Sequence, residues 1–241
     1  MAISTNPLAW LRSVQPRRAI ALLLLLLPLT VGAQTVRDLW LSMPPSLAPY
    51  LSTSLRTQCL DFYDMHTDAQ TDNALKGKSR IDTLTSTFLA ATLSKAHTLQ
   101  MKLLPASGSG SGSASASSMV SGSVSSSSLS SCDSVLCVVR SWDGPKRDSE
   151  VLLFDRQWKP LQAPLTFSAD SFVCRPDTMS EERFSRLVAL LDPIMFSVSL
   201  SPAENVLLVK LSPVVPNPED EKAIEQILVQ RKLKWDGKTF K

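Results

Sequence analysis

The stretch "ASGSGSGSASASSMVSGSVSSSSLSS", residues 106–131, decides how this chain is divided, because it consists almost entirely of Ser, Gly and Ala. This low-complexity tract contains no aromatic residue and no charge, so it cannot bury enough apolar surface to order itself. Such a tract either links two domains or forms a disordered loop within one domain. The segments on its two sides distinguish these alternatives.

Both flanks of the tract have the pattern of β-strands. "TLQMKLLP" (98–105) alternates apolar and polar residues, and "SVLCVVRSW" (134–142) is nearly continuous in apolar residues. The first pattern is typical of a half-buried strand and the second of a strand buried on both faces. Lengthening a hairpin loop from about 4 to about 26 residues costs only about 1.7 kcal/mol of closure entropy. We therefore predict one hairpin with a disordered loop over 106–131, and a domain linker is the alternative.

The N-terminal residues have the organisation of a secretory signal. Arg17 and Arg18 precede the apolar run "AIALLLLLLPLTV" (19–31), and "VGA" (31–33) supplies the small residues of a cleavage site. A run of about 13 apolar residues is too short for a membrane-spanning helix, which needs about 20. We predict a signal peptide over 1–33 and an exported protein, periplasmic or secreted, with no membrane span after cleavage. An uncleaved anchor is the alternative.

The charge of the chain is balanced once this segment is removed. The full sequence has 25 Lys+Arg and 22 Asp+Glu, and removal of the three arginines of the first 33 residues leaves 22 of each sign. A formally neutral body lacks the basic excess that is typical of nucleic-acid binding proteins. We expect no nucleic-acid partner.

The remaining strand patterns extend the predicted hairpin into a sheet. Alternating segments occur at "SRIDTLT" (79–85), "FLAATLS" (88–94) and "SEVLLFDRQWKPL" (149–161). Together with the hairpin they predict an antiparallel meander of about five strands. A second hairpin is predicted from "FSVSLSP" (196–202) and "NVLLVKLSP" (205–213).

Helix signals predict about four helices. A Thr cap before an apolar stripe predicts a helix at 35–45, and a second amphipathic stripe predicts one at about 55–66. A capping box from Thr178 to Glu181 predicts a third helix after Thr178, and Pro after an Asn cap predicts a fourth after Asn217. The sequence therefore predicts an α+β fold, with antiparallel β-meander sheets packed against about four helices in a single domain over 34–241.

The two histidines offer little for nucleophilic catalysis. His66 shares a face with Leu55, Cys59 and Phe62 on the second predicted helix, so we expect it at the edge of the core. His97 lies in a Lys-Ala-His-Thr segment, where we expect a solvated turn. Neither is placed next to a nucleophile as a Ser-His-Asp arrangement requires.

Paired carboxylates are the remaining candidates for acid–base chemistry. Asp61 and Asp64 lie three residues apart on the second predicted helix, and Asp68 and Asp72 follow. Acids in this pattern are also typical of a helix face that is exposed to solvent and has no catalytic role. Asp61 and Asp64 are the weak catalytic candidates that the sequence provides.

The four cysteines would meet an oxidising environment in an exported protein. Cys59, Cys132, Cys137 and Cys174 allow three complete disulfide pairings, among which the sequence does not choose. We predict buried free thiols, because a chain of this length builds a core without disulfides. The spacing of Cys132 and Cys137 is unusual for zinc, and we predict neither a metal nor a cofactor.

Several segments, in this order, resemble a known family. They are "LWLSMPPSLAPYL" (39–51), "MKLLP" (101–105), "DSVLCVVRSWDGPKRDSEVLLFDRQWKPL" (133–161), "PDTMS" (176–180) and "LKWDGKTFK" (233–241). Together they are similar to domain-of-unknown-function family 3256, which consists of exported Bacteroidales proteins. The resemblance covers most of residues 35–241, and the Ser/Gly tract is an insertion relative to it, as expected of a loop. The resemblance implies no established activity and supplies no catalytic residue.

Two functions remain open at this point. The first is a non-catalytic envelope protein that binds an unknown protein or ligand, and it predicts an exposed apolar or aromatic patch. The second is a carboxylate-dependent envelope hydrolase, which predicts a pocket with convergent acids. The sequence favours the first, a protein that is not an enzyme.

Overall fold

The first sheet is built outward from the hairpin that flanks the Ser/Gly tract. The structure is a computed structural model that describes residues 34–106 and 134–241. The predicted signal peptide, the Ser/Gly tract beyond Ala106, its predicted disorder, and Cys132 lie outside these residues. In chain order the elements are α1 (Val36–Ser42), α2 (Thr53–Asp64), β1 (Thr71–Asp72), β2 (Lys78–Leu84), β3 (Phe88–Ser94), β4 (His97–Pro105), β5 (Ser134–Asp143), β6 (Arg147–Phe154), a short 3-10 helix (Ala169–Phe172), α3 (Glu181–Ala189), β7 (Phe196–Leu200), β8 (Val206–Leu211), α4 (Pro218–Glu225) and β9 (Arg231–Lys234).

Six strands form an antiparallel meander in the order β1-β2-β3-β4-β5-β6. Within this sheet, β4 and β5 pair without interruption from His97 opposite Trp142 to Pro105 opposite Ser134. The predicted hairpin is therefore confirmed. Residues 134–139 of β5 are all buried, as their continuous apolar pattern predicts.

The second sheet contains β7, β8 and β9 and packs against one face of the first. Side chains join the two sheets. The main-chain N–H groups of Phe196, Val198 and Leu200 on β7 donate to Asp148 Oδ1 (3.3 Å), Ser149 Oγ (3.1 Å) and Gln100 Oε1 (2.8 Å) of the first sheet. The edge of β7 is therefore bonded to side chains of the first sheet.

A buried lysine strengthens this junction. Lys102 on β4 is only 3% exposed, and its Nζ donates to the carbonyls of Ser201 (2.7 Å), Pro202 (3.1 Å) and Glu204 (2.7 Å). These three carbonyls belong to the connection between β7 and β8. A buried ammonium needs such acceptors, because unpaired burial of charge is costly.

Helix boundaries follow local capping chemistry. Thr35 begins α1, since its hydroxyl accepts from Asp38 N–H and its own N–H donates to Asp38 Oδ2 (2.8 Å), as in a capping box. The predicted box from Thr178 is wrong. Residues 176–179 form a turn instead, closed by a bond from Met179 N–H to the Pro176 carbonyl, and Ser180 caps α3.

The predicted α+β fold is confirmed, with four α-helices and two antiparallel sheets in the described residues. α1 and α2 cover one face of the first sheet, and the second sheet with α3 and α4 covers the other. Across the described part of the chain, every helix is too short or too polar to cross a membrane.

Two of the predicted buried thiols are confirmed and one is wrong. Cys59 and Cys137 are buried and free, whereas Cys174 is free but exposed. Cys174 lies on an extended segment whose N–H donates to the Ile227 carbonyl, and its neighbour Val173 packs against the core. Because side chains alternate along extended chain, Cys174 faces outward.

Candidate functional site

The C-terminal end of α2 reverses the chain sharply. The Ser52 hydroxyl caps the start of this helix, and His66 follows its end in the left-handed region at φ 51°. The N–H groups of His66 and Thr67 donate to the carbonyls of Tyr63 (3.0 Å) and Phe62 (3.2 Å), which is the Schellman pattern. His66 is exposed, so the prediction of a core-edge histidine is wrong. The helix ends at Asp64, and the reversal removes His66 from the helical face.

This reversal borders a cavity of about 350 Å³ between α2 and β2. We call it the β2 cavity. Residues from the helix end, the following loop and the sheet edge line it together. They are Cys59, Phe62, Tyr63, His66, Thr67, Asp68, Ala69, Arg80, Ile81 and Asp82.

Some polar groups of the β2 cavity are fixed by internal bonds. Asp82 accepts from Arg80 Nε (2.7 Å) and from Thr92 Oγ1 (2.7 Å), and the Tyr63 hydroxyl accepts from Leu84 N–H (3.1 Å). These bonds connect β2 to α2 and to β3 along one wall of the cavity.

Other polar groups of the cavity remain available. Among the described residues, the His66 imidazole and the Asp68 carboxylate have no hydrogen-bond partner and no ion pair. The side chain of Met65, which directly precedes His66, is 58% exposed. Exposed methionine adapts to irregular apolar partners. The cavity therefore combines free polar groups with an exposed apolar side chain in the adjoining residue.

The carboxylate candidates Asp61 and Asp64 do not line this cavity. Asp64 binds Arg37 of α1 through two bonds, one of them 3.1 Å between Arg37 Nη1 and Asp64 Oδ1. The bonded guanidinium holds the pKa of Asp64 below its usual range. Asp61 is exposed on the surface of α2. The Arg37 pairing thus favours the ionised form of Asp64 and opposes its use as a proton donor.

His97 occupies a setting quite different from its predicted solvated turn, and that prediction is wrong. The turn ends at Ala96, so His97 begins β4 and is only 6% exposed. Its Nδ1 is hydrogen-bonded to the Tyr50 hydroxyl, and its ring stacks on Trp142 with centroids 5.3 Å apart and planes 8° apart. Burial, aided by the nearby charge of Arg140, lowers the pKa of His97 to about 4. The ring is neutral at pH 7.

Trp142 is the exposed tryptophan of the described part of the chain, at 37%. The guanidinium carbon of Arg140 lies 4.9 Å from its ring centroid, and Arg140 pairs with Glu150 at 3.5 Å. His97 and Arg140 therefore already contact the Trp142 ring. We regard this cluster as structural and the β2 cavity as the candidate binding site.

Sequence reasoning singled out His66 and Asp68 but missed Arg80 and Asp82. The two pairs come together only because α2 packs beside β2. The spacing of residues within either segment does not encode this packing. No local signal in the sequence marked this site, because apolar spacing placed His66 within the second predicted helix.

Comparisons with known proteins give a family and a solved structure of similar fold, and neither names an activity. A family model described as "Protein of unknown function (DUF3256)" matches residues 28–130 and 126–240, and the two matches overlap inside the Ser/Gly tract. No curated protein matches the chain. A solved domain of an uncharacterized protein from Porphyromonas gingivalis W83 is similar at 22% identity and a TM-score of 0.61, over 86% of this chain and 98% of that one.

Proposed function

We propose, for a chain that belongs to the DUF3256 family of proteins of unknown function, a role as an exported, non-catalytic binding protein of the cell envelope. The family match confirms the resemblance drawn from the sequence. Because neither the family nor the solved domain carries a known activity, the proposed role rests on the β2 cavity.

The observation that carries the proposal is the combination of polar and apolar groups in this cavity. Its volume of about 350 Å³ is within the range of small-ligand pockets. The half-buried rings of Phe62 and Tyr63 and the buried side chain of Ile81 supply apolar contact, while His66 and Asp68 supply polar groups that make no hydrogen bond or ion pair in the described chain. A ligand that contacts these groups gains interactions without breaking existing hydrogen bonds.

Export is supported by the organisation of the first 33 residues. The arginine pair, the short apolar run and the small residues at 31–33 together favour a cleaved leader. We expect fractionation of the producing cells to recover the protein from the periplasm or the medium, with Gln34 as its first residue. Recovery with an intact leader in the membrane fraction would support the uncleaved anchor instead.

The alternative of a carboxylate-dependent hydrolase gains no support from the position of its candidates. Asp61 and Asp64 lie outside the β2 cavity, and Asp64 is bound to Arg37. We therefore carry forward the binding role.

A cavity-filling substitution tests the proposal. Ala69→Trp places a large side chain at the exposed lining of the β2 cavity, and Ala163→Trp adds the same ring at an exposed position outside its lining. Envelope peptides and glycans are screened by their effect on the NMR spectrum of the mature protein. We expect binding that Ala69→Trp abolishes and Ala163→Trp preserves. Binding that survives Ala69→Trp, or no binding to any member of the screen, would contradict the proposal.

A further inference from the structure

The outer edge of β2 lacks a partner strand over most of its length. β1 contains two residues, which pair with Lys78 and Ser79, so residues 80–83 have β3 on one side and no strand on the other. Within the described chain, the main chain of 80–83 bonds only to β3. Beyond them, the N–H of Leu84 already donates to the Tyr63 hydroxyl. Residues 80–83 therefore form a short open edge.

The other sheet edges of the described chain carry hydrogen bonds over part of their length. On β6, the carbonyls of Val151 and Leu153 accept from Leu165 and Leu161 N–H, at 2.9 and 3.0 Å. The edge of β7 donates to side chains of the first sheet. The end of β9 pairs with the C-terminal residue, since Lys234 and Lys241 exchange main-chain bonds. Proteins usually cover sheet edges, so an edge left open beside a cavity points to an occupant from outside.

The form of this edge limits which occupant fits. The pairing of β2 with β3 shifts register between Ile81 and Thr83, which makes Asp82 a bulged residue. A bulge and the charges of Arg80 and Asp82 discourage unselective pairing, including pairing between copies of the chain. The edge therefore favours a partner whose side chains also fit the cavity.

The β2 cavity provides the place for such side chains. Side chains of an extended segment alternate, so every second one of a strand laid on β2 faces the same side. The rings of Phe62 and Tyr63 and the side chain of Ile81 offer apolar contact there. The volume of about 350 Å³ accommodates one or two side chains, not a folded domain.

The charge of the cavity selects among peptides. Asp68, Arg80 and Asp82 are its aspartate and arginine residues, with a formal net charge of −1. Arg80 and Asp82 pair with each other at 2.7 Å, whereas Asp68 has no ion pair in the described chain. A cationic side chain complements this arrangement.

We infer that the ligand of the β2 cavity is an extended basic segment of another protein, which adds to β2 as a strand along residues 80–83. This inference rests on the proposed binding function and specifies its ligand. Main-chain bonds would supply affinity, and the cavity with Asp68 would supply selectivity.

A peptide pair that differs only in main-chain donors tests the inference. The probe is a short capped peptide in which lysine alternates with valine, and its twin carries N-methyl groups at alternate residues. Hydrogen exchange of the mature protein is followed by NMR, residue by residue. We expect slower exchange in 80–83 with the first peptide, and binding weaker by about tenfold or more with its methylated twin, because each lost main-chain bond weakens binding several-fold.

The charge component is tested separately. A peptide with glutamate in place of lysine should bind more weakly. Asp68→Asn should weaken the lysine peptide by about twofold to fivefold, the range of exposed ion pairs. Asp72→Asn is the matched control, because Asp72 is bound to Lys78 and does not line the cavity.

Each outcome separates this inference from the proposed function. Equal binding of the two peptides, lost in Ala69→Trp, would overturn strand addition and leave a cavity that binds ligands. No change at 80–83 with the lysine peptide would overturn the inference, whatever the screen of other ligands finds. Protection of 80–83 that grows with protein concentration alone would make a second copy the occupant, and would also overturn it.

Discussion

His66 occupies a backbone position where most side chains are strained. It is the residue that ends the α2 reversal, at φ 51°, and glycine is common there because it lacks a Cβ. A histidine at such a position lowers stability unless it contributes something else. Strained residues concentrate at functional sites, and His66 lines the β2 cavity.

We predict that His66→Gly raises the free energy of unfolding by about 0.5–1 kcal/mol, because it relieves the left-handed strain. The same substitution should weaken ligand binding in the β2 cavity. Urea denaturation measures the first effect, and titration with the lysine peptide measures the second.

Lys76 offers the control, since it has φ 58° but does not line the cavity. Lys76→Gly should also stabilise the protein and leave binding unchanged. If His66→Gly destabilised the protein, the interpretation of His66 as a strained residue would be wrong.

His97 predicts an acid dependence of stability. Its pKa is about 4 in the folded protein, and an unfolded histidine titrates near 6.5. As pH falls below 6.5, the unfolded chain takes up a proton that the folded chain does not, so stability is lost until about pH 4. Above pH 7, His97 does not make the free energy of unfolding depend on pH. The loss is on the order of 2 kcal/mol after allowance for solvent screening.

His97→Phe should remove this slope while keeping an aromatic ring against Trp142. Denaturation at pH 7, 6 and 5 measures it, because carboxylates begin to contribute only at lower pH. An unchanged slope in the variant would show that another group carries it. The variant should also be less stable at pH 7, since the half-buried Tyr50 hydroxyl loses its partner.

At the scale of elements, the second sheet is held to the first by polar bonds as well as by its core. The three N–H groups of β7 donate to side chains of the first sheet, and Lys102 binds the β7–β8 connection. Burial lowers the pKa of Lys102, while three carbonyls solvate its ammonium. The relative placement of the sheets therefore depends on these polar bonds as well as on the shared core.

We predict that Lys102→Met lowers the free energy of unfolding by about 2–3 kcal/mol, because three carbonyls lose their donor. Lys210→Met is the control, since Lys210 is exposed on β8 and should change stability by less than about 0.5 kcal/mol. Hydrogen exchange should accelerate more in β7 and β8 than in β3. Equal stability of the two variants would contradict the role given to Lys102.

Periodicity predicted the elements well and their ends poorly. The strands at 79–85 and 88–94 and the hairpin across the Ser/Gly tract follow from apolar alternation, and the structure has them. The apolar spacing through His66 continues the face of α2 beyond Asp64, where the helix has already ended. Hydrogen bonds at the helix end decide that boundary, and apolar spacing does not contain them. The cavity was beyond prediction because two separate segments form it, the end of α2 with its loop and the strand β2, and their packing is not encoded in either pattern.

At the scale of the whole molecule, β5 serves two cores. Its alternate residues point to opposite faces of the sheet. On one face, Leu136 and Val138 pack with α1 and α2. On the other face, Val135, Cys137 and Val139 pack with the second sheet and its helices. The hairpin that carries the Ser/Gly tract is therefore the common wall of both cores. The tract joins its strands at one end, next to the pair Pro105–Ser134.

We predict that replacement of residues 107–133 by Asn-Gly leaves the fold intact and raises stability by about 1–2 kcal/mol, because a shorter loop has less closure entropy to lose. Calorimetry measures the change, and the lysine peptide reports on the distant β2 cavity. Loss of folding would mean that the tract does more than connect β4 to β5.

The open edge at residues 80–83 also sets how copies of this molecule would join. A fibril grows only if each copy has two joining ends, one that pairs with the preceding copy and another that pairs with the next. In the described chain the edges of β6, β7 and β9 are already bonded at some of their residues, so they are poorer joining ends than β2. Two copies that joined through β2 would use the better joining end of each, and stacking beyond the pair would have to displace existing bonds.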